Sequence, residues 1–197
     1  MEDASREPHR FATAGLRERT AALLLGLSNT TDVIALASGL LAEGHDSQSL
    51  IALASLYVSA TSADVFELSS MILTEAGDPP LEQDGEEIPL LALRVACRRF
   101  LNGELDLRAF SSWAHDNIGH DGPEAAQALV EVDDVLDDLD RSQGTRGRRR
   151  HRGVELHHSR EVAKLASAYL ASTAPKLKVS ASCSVRSPIH FGRADRL

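Results

Sequence analysis

Gly122-Pro-Glu-Ala-Ala-Gln-Ala-Leu-Val-Glu-Val-Asp-Asp-Val-Leu-Asp-Asp-Leu-Asp-Arg-Ser142 is the longest periodic stretch of the chain. Proline stands where a first helical turn accepts it, because the missing N–H would have had no intrahelical partner there. Ala125, Ala128, Leu129, Val132, Val135, Leu136 and Leu139 then form one apolar stripe at helical spacing. Such a stripe is stable only when buried against other elements, so the rest of the sequence has to supply them.

It supplies helices. Apolar residues recur at three- and four-residue spacing over 10–27, 32–43, 47–58, 62–75, 88–101 and 106–117. The intervening Gly44, Gly77, Gly103 and Gly119 punctuate these runs as residues favoured just past a helix end. Asp78-Pro-Pro80, followed by Glu82, Asp84, Glu86 and Glu87, predicts a loop, since it lacks backbone donors and repels itself. Ile34-Ala-Leu-Ala-Ser38 recurs as Ile51-Ala-Leu-Ala-Ser55, too short a repeat to define a solenoid. The expected class is therefore all-α, a compact bundle of about six or seven short helices with a basic, largely disordered C-terminal tail.

Charge divides the chain at the same place as periodicity. The 197 residues carry 21 Lys+Arg and 29 Asp+Glu, a net charge of −8. Up to Ser142 there are 9 cations and 26 carboxylates, and beyond it 12 cations and 3 carboxylates. A −17 body joined to a +9 tail excludes a uniformly basic nucleic-acid-binding domain. The expected organisation is an acidic helical-bundle domain over 1–142 and a basic tail over 143–197, with one possible helix at 159–171. After Pro175 the alternation Leu177, Val179, Ala181, Cys183, Val185 has a strand period but no second strand to pair with.

Two cysteines, Cys97 and Cys183, signal neither a disulfide framework nor a zinc site, which fits a reduced, cytoplasmic setting. No export signal is visible at the polar N-terminus. The most apolar run, 33–42, falls well short of the roughly 20 residues a bilayer span needs, so no membrane span is expected. No P-loop, dinucleotide fingerprint or nucleophile elbow occurs, so no cofactor and no catalytic residue are assigned.

Two constellations bear on chemistry. In the first, Asp133 and Asp137, and likewise Asp134 and Asp138, stand four apart and stack on a helix face. Asp133-Asp134-x-x-Asp137 resembles the aspartate-rich motif of isoprenoid synthases, whose second motif has no counterpart here; a solvated face opposite the apolar stripe is the simpler reading. In the second, His115-Asp-Asn-Ile-Gly-His-Asp121 gathers two imidazoles and two carboxylates, with His120 placed beyond a helix end by the five-residue spacing and Gly119. His115, Asp116, His120 and Asp121 are the candidate metal ligands. Arg146, Arg148, Arg149, Arg150 and Arg152 can meet a polyanion by charge, without the aromatic residues that base stacking needs.

Leu40-Leu-Ala-Glu-Gly-His-Asp-Ser-Gln-Ser-Leu50 and Phe100-Leu-Asn-Gly-Glu-Leu-Asp-Leu-Arg-Ala-Phe-Ser-Ser-Trp113, continuing to His120, resemble an uncharacterised family of small all-helical proteins of high-GC actinobacteria. The second segment is also architecturally similar to colicin-type bacteriocin immunity proteins. That resemblance implies a small acidic protein that inactivates a toxin by binding it. Between Thr20 and Leu93 there are 11 carboxylates and no Lys or Arg, a composition that steers cationic partners. The function expected from sequence is thus a non-enzymatic protein-binding module, immunity- or antitoxin-like, whose acidic surface binds a basic protein partner. Asp133, Asp134, Asp137 and Asp138 are its candidate contacts, with Trp113 as an anchor if exposed, although its phase with Leu107 and Phe110 favours the core. The alternative is a small metal-dependent hydrolase using the His/Asp site at 115–121.

Overall fold

The computed structural model describes residues 7–57, 59–142 and 148–173. Among them are eight helices and no strand: α1 Glu7–Leu24, α2 Thr30–Ala42, α3 Gln48–Ala54, α4 Ser62–Glu75, α5 Glu87–Leu101, α6 Leu107–Asn117, α7 Glu124–Ser142 and α8 Arg148–Thr173. The all-α bundle read from periodicity is the fold. No helix among the described residues is long and apolar enough to cross a membrane.

Local signals set the helix starts. Asn29 and Asp32 exchange side-chain-to-backbone hydrogen bonds at the head of α2, and Thr61 and Asp64 do the same for α4, each pair satisfying donors that have no intrahelical partner. Ser47 and Asp106 cap α3 and α6 through one side-chain acceptor each.

Two apolar centres form on either side of α1. Leu16 and Leu23 pack with Val33, Ala37 and Leu40 of α2, Leu50 and Leu53 of α3, and Val65 and Ile72 of α4. Ala21 and Ala22 belong to a larger cluster containing Ala92, Leu93 and Ala96 of α5, Phe110 and Ala114 of α6, and Leu129, Val130 and Leu136 of α7. The small side chains at 21, 22, 92 and 96 let α1 and α5 approach closely, as ridges into grooves require. Thr20 donates its hydroxyl to Ser69 at 3.0 Å, a buried bond tying α1 to α4. The pentapeptide repeat spans α2 and α3 without repeating the packing, since its third residue is half-buried at Leu36 and fully buried at Leu53.

The helix expected over 159–171 begins eleven residues earlier, at Arg148. Val162 and Ala166 are buried in the larger cluster, and the Tyr169 hydroxyl donates to the Leu90 carbonyl at 3.0 Å. The core therefore draws on both sides of Ser142, because α8 carries its own apolar face. The strand-like alternation after Pro175 lies outside the described residues, as does Arg146; Arg148, Arg149, Arg150 and Arg152 fall in the first turns of α8, and their side chains lie outside the described set.

Candidate functional site

α6 and α7 form an antiparallel hairpin, and the site lies on their shared polar seam. Arg108, Ser111 and His115 occupy one face of α6 at spacings of three and four. Opposite them on α7 stand Asp137, Asp133 and Asp134. Arg108 pairs with Asp137, the Ser111 hydroxyl donates to Asp133 Oδ1 at 3.0 Å, and Arg108 Nη1 lies 3.7 Å from the same oxygen. His115 Nδ1 lies 3.3 Å from Asp133 Oδ2 and 3.6 Å from Asp134 Oδ1.

Asp133 is 6% exposed, which moves it from the solvated face expected of it to the inner one. The buried side of α7 runs Ala126, Leu129, Val130, Asp133 and Leu136, whereas Val135, a member of the sequence-derived stripe, is 40% exposed. Burying a carboxylate is costly unless it is paired and hydrogen-bonded. Ser111, Arg108 and His115 meet that requirement.

His120 arrives by a different route. α6 ends at Asn117, and Gly119 adopts φ 65°, the left-handed conformation that glycine enters without a Cβ penalty. Gly122 is needed for another reason: a Cβ there would sit 2.6 Å from the Ile118 carbonyl oxygen. Gln127 Nε2 donates to the carbonyls of Gly119 at 3.1 Å and Gly122 at 3.0 Å, fastening the turn to α7. His120 is thereby folded back over the end of α6. Its ring centroid lies 5.2 Å from that of His115, edge to face, and its Nε2 is 3.6 Å from Asp134 Oδ2.

His115, His120 and Asp134 each present one ligand atom within 4.8 Å of the others. Of the four metal ligands expected from sequence, the structure brings two together, His115 and His120. Asp116 and Asp121 are exposed and stand outside this group, because Asp116 follows His115 around the helix and Asp121 follows His120 within the turn. The carboxylate comes instead from α7, out of the cluster expected to bind a partner. The other aspartates of that cluster have local counter-charges: Asp137 pairs with Arg108 and Arg141, and Asp138 with Arg141. Trp113 is partly buried against the larger core cluster and donates Nε1–H to the Leu25 carbonyl at 2.9 Å, so it is not an exposed anchor.

His115 Nδ1 is a buried donor-acceptor atom with no hydrogen bond, although carboxylate oxygens lie near it. The group is otherwise open to solvent, with His120 and Asp134 side chains 60% and 47% exposed. Cys97 takes no part: it is buried in the core, and burial pushes its thiol up to about 12, leaving it protonated and a poor nucleophile or ligand near neutral pH. Comparison with family profiles, with curated proteins and with solved structures returned no match.

Proposed function

We propose that this protein binds a divalent first-row transition metal, of the zinc class, through His115, His120 and Asp134. The carrying observation is the convergence of two imidazoles and one carboxylate from two different chain segments, with ligand atoms within 4.8 Å of one another. Two nitrogens and one oxygen suit such an ion, and three protein ligands leave a fourth, solvent-facing position for water. Tetrahedral bonds of about 2.0–2.1 Å put ligand atoms about 3.3 Å apart, so modest side-chain rotation closes the set. Asp133, anchored by Ser111 and Arg108, stands 3.3 Å from His115 Nδ1 beside the ligand set, a neighbouring carboxylate of the kind that metal-binding imidazoles commonly have.

The activity proposed is metal binding. A cavity of about 140 Å³ among α1 to α4 and a cleft of about 340 Å³ beside α1 and α5 are lined by other residues, and the His/Asp group opens directly on solvent. Titration with zinc, and with cobalt for its visible absorption, tests the proposal. Stoichiometric binding that is lost in His120→Ala supports it; metal-free protein, or binding unchanged by that substitution, refutes it.

A second reading, the protein-binding module, is favoured by the surface of α2 to α4. Asp32, Glu43, Asp46, Asp64, Glu67 and Glu75 are all exposed there without a single Lys or Arg in the same stretch. Tyr57, 83% exposed between α3 and α4, lies within it. These features suit a basic protein partner of the kind an immunity-like protein meets, and move the expected contact away from α7. A charge-reversal variant of Asp64 and Glu67 that no longer retains a cationic partner would support this reading, and unchanged retention would remove it.

A further inference from the structure

A cluster of guanidinium groups stands out in this acidic body. Glu18 of α1 is buried, with its carboxylate held by Arg94 Nε at 3.0 Å and by Arg98. One cation would neutralise it; two leave an excess. Arg99, on the same helix as both, donates to the Leu27 carbonyl and to Glu104 Oε2 at 3.3 Å. Arg19, half-buried beside Glu18 in sequence, forms no ion pair or hydrogen bond with any described residue. Arg19, Arg98 and Arg99 all line the cleft of about 340 Å³, together with Asn102 and the two carboxylates, Glu18 and Glu104, that pair with Arg98 and Arg99. Counting Arg94, four guanidiniums face two carboxylates, Glu18 and Glu104, and two positive charges remain.

The cleft also has an apolar part formed by Gly15, Leu36 and Val95. Gly15 lies inside α1 with no positive φ to require glycine, and a Cβ built on it meets nothing within 4 Å. Glycine within a helix costs stability relative to alanine. Here its effect is open space next to the Arg19 guanidinium.

We infer that this cleft binds the dianionic phosphate group of a small molecule, with Arg19, Arg98 and Arg99 as donors and Asn102 at the rim. A phosphate dianion matches the two excess charges, and guanidinium forks suit its oxygens. Leu36 and Val95 would take the organic part of a phosphate ester. The site shares no residue with the metal group, so the two proposals fail independently.

Calorimetric titration of the full chain with inorganic phosphate and with phenyl phosphate, at matched ionic strength, is the test. Saturable binding is expected, weakened about tenfold or more in Arg19→Gln, the scale of one lost charge-assisted hydrogen bond, and retained in His120→Ala. Tighter binding of phenyl phosphate identifies an ester as the ligand, and equal binding the free ion. Gly15→Leu, which fills the open space, is expected to abolish ester binding without lowering the unfolding temperature. Absence of saturable binding, or equal binding by wild type and Arg19→Gln, overturns the inference; the latter would point to unspecific attraction by the basic run near Arg148.

Discussion

Asp133 occupies a position that the packing of α7 reserves for an apolar side chain, and its neighbours explain how it stays there. Ser111 donates to one oxygen, His115 approaches the other, and Arg108 supplies nearby positive charge. Removing the carboxylate leaves a buried hydroxyl and an imidazole nitrogen facing an empty space. Asp133→Ala is therefore expected to lower unfolding free energy by about 2–3 kcal/mol, and Asp133→Asn, which keeps an acceptor for Ser111, by less. Urea denaturation midpoints at constant slope check the order. The sequence makes the aspartates conspicuous but points Asp133 to the solvated face, because a carboxylate at a core phase makes sense only once its partner 22 residues away is known. Arg108 and Ser111 carry no signal of their own for the same reason, although their spacing to His115 marks one helix face. His115 and His120 are legible from residue type, and the approach of Asp134 from α7 is not.

At the scale of elements, the turn between α6 and α7 matters most. Gly122 is pressed against the Ile118 carbonyl, and the turn sets where His120 lies. Gly122→Ala is expected to displace His120 and weaken zinc binding by at least about tenfold, the effect of about 1.4 kcal/mol, while His115 stays on its helix. Isothermal titration against wild type measures this. The ends of α2, α4, α5 and α6 are legible in Gly44, Gly77, Gly103 and Gly119, since those signals are local, whereas α1 ends at Leu24 and α3 at Ala54, short of the 27 and 58 that periodicity gives. The start of α8 is not legible, because Arg148 to Gly153 reads as solvated charge, whereas the helix they open docks on α5.

Acid sensitivity belongs to the elements as well. Hydrogen bonds from Thr61 hold the Asp64 carboxyl below its usual range, and those from Ser49 and Ser47 do the same for Glu75. A carboxyl whose folded-state value is depressed contributes stability above its unfolded value, about 3.9 for Asp and 4.3 for Glu, and loses it as pH falls through the lower folded value. Both groups are largely exposed, so the effect is small. Stability is expected to drop on acidification through that range, with a shallower drop in Asp64→Asn, as followed by thermal unfolding against pH.

For the whole molecule, α1 is the shared wall of two apolar centres, and α8 closes the larger one. The charge change at Ser142 marks a change in surface composition, while Val162, Ala166 and Tyr169 carry the core across it. A chain ending at Ser142 is expected to lose on the order of 3 kcal/mol or more, from the burial of these side chains and the Tyr169 hydrogen bond. Chemical denaturation of the truncated chain checks this; undiminished stability would show that α8 docks without stabilising the fold. The central claim is that the hairpin of α6 and α7 assembles a metal site from His115, His120 and Asp134. Its most direct measurement is the absorption spectrum of the cobalt-loaded protein with titrated stoichiometry. One ion per chain with visible bands of a low-coordinate nitrogen and oxygen site, lost in His115→Ala, His120→Ala and Asp134→Asn but kept in Asp121→Asn, is the expected result. Failure to take up cobalt or zinc, or equal uptake by all four variants, would contradict it.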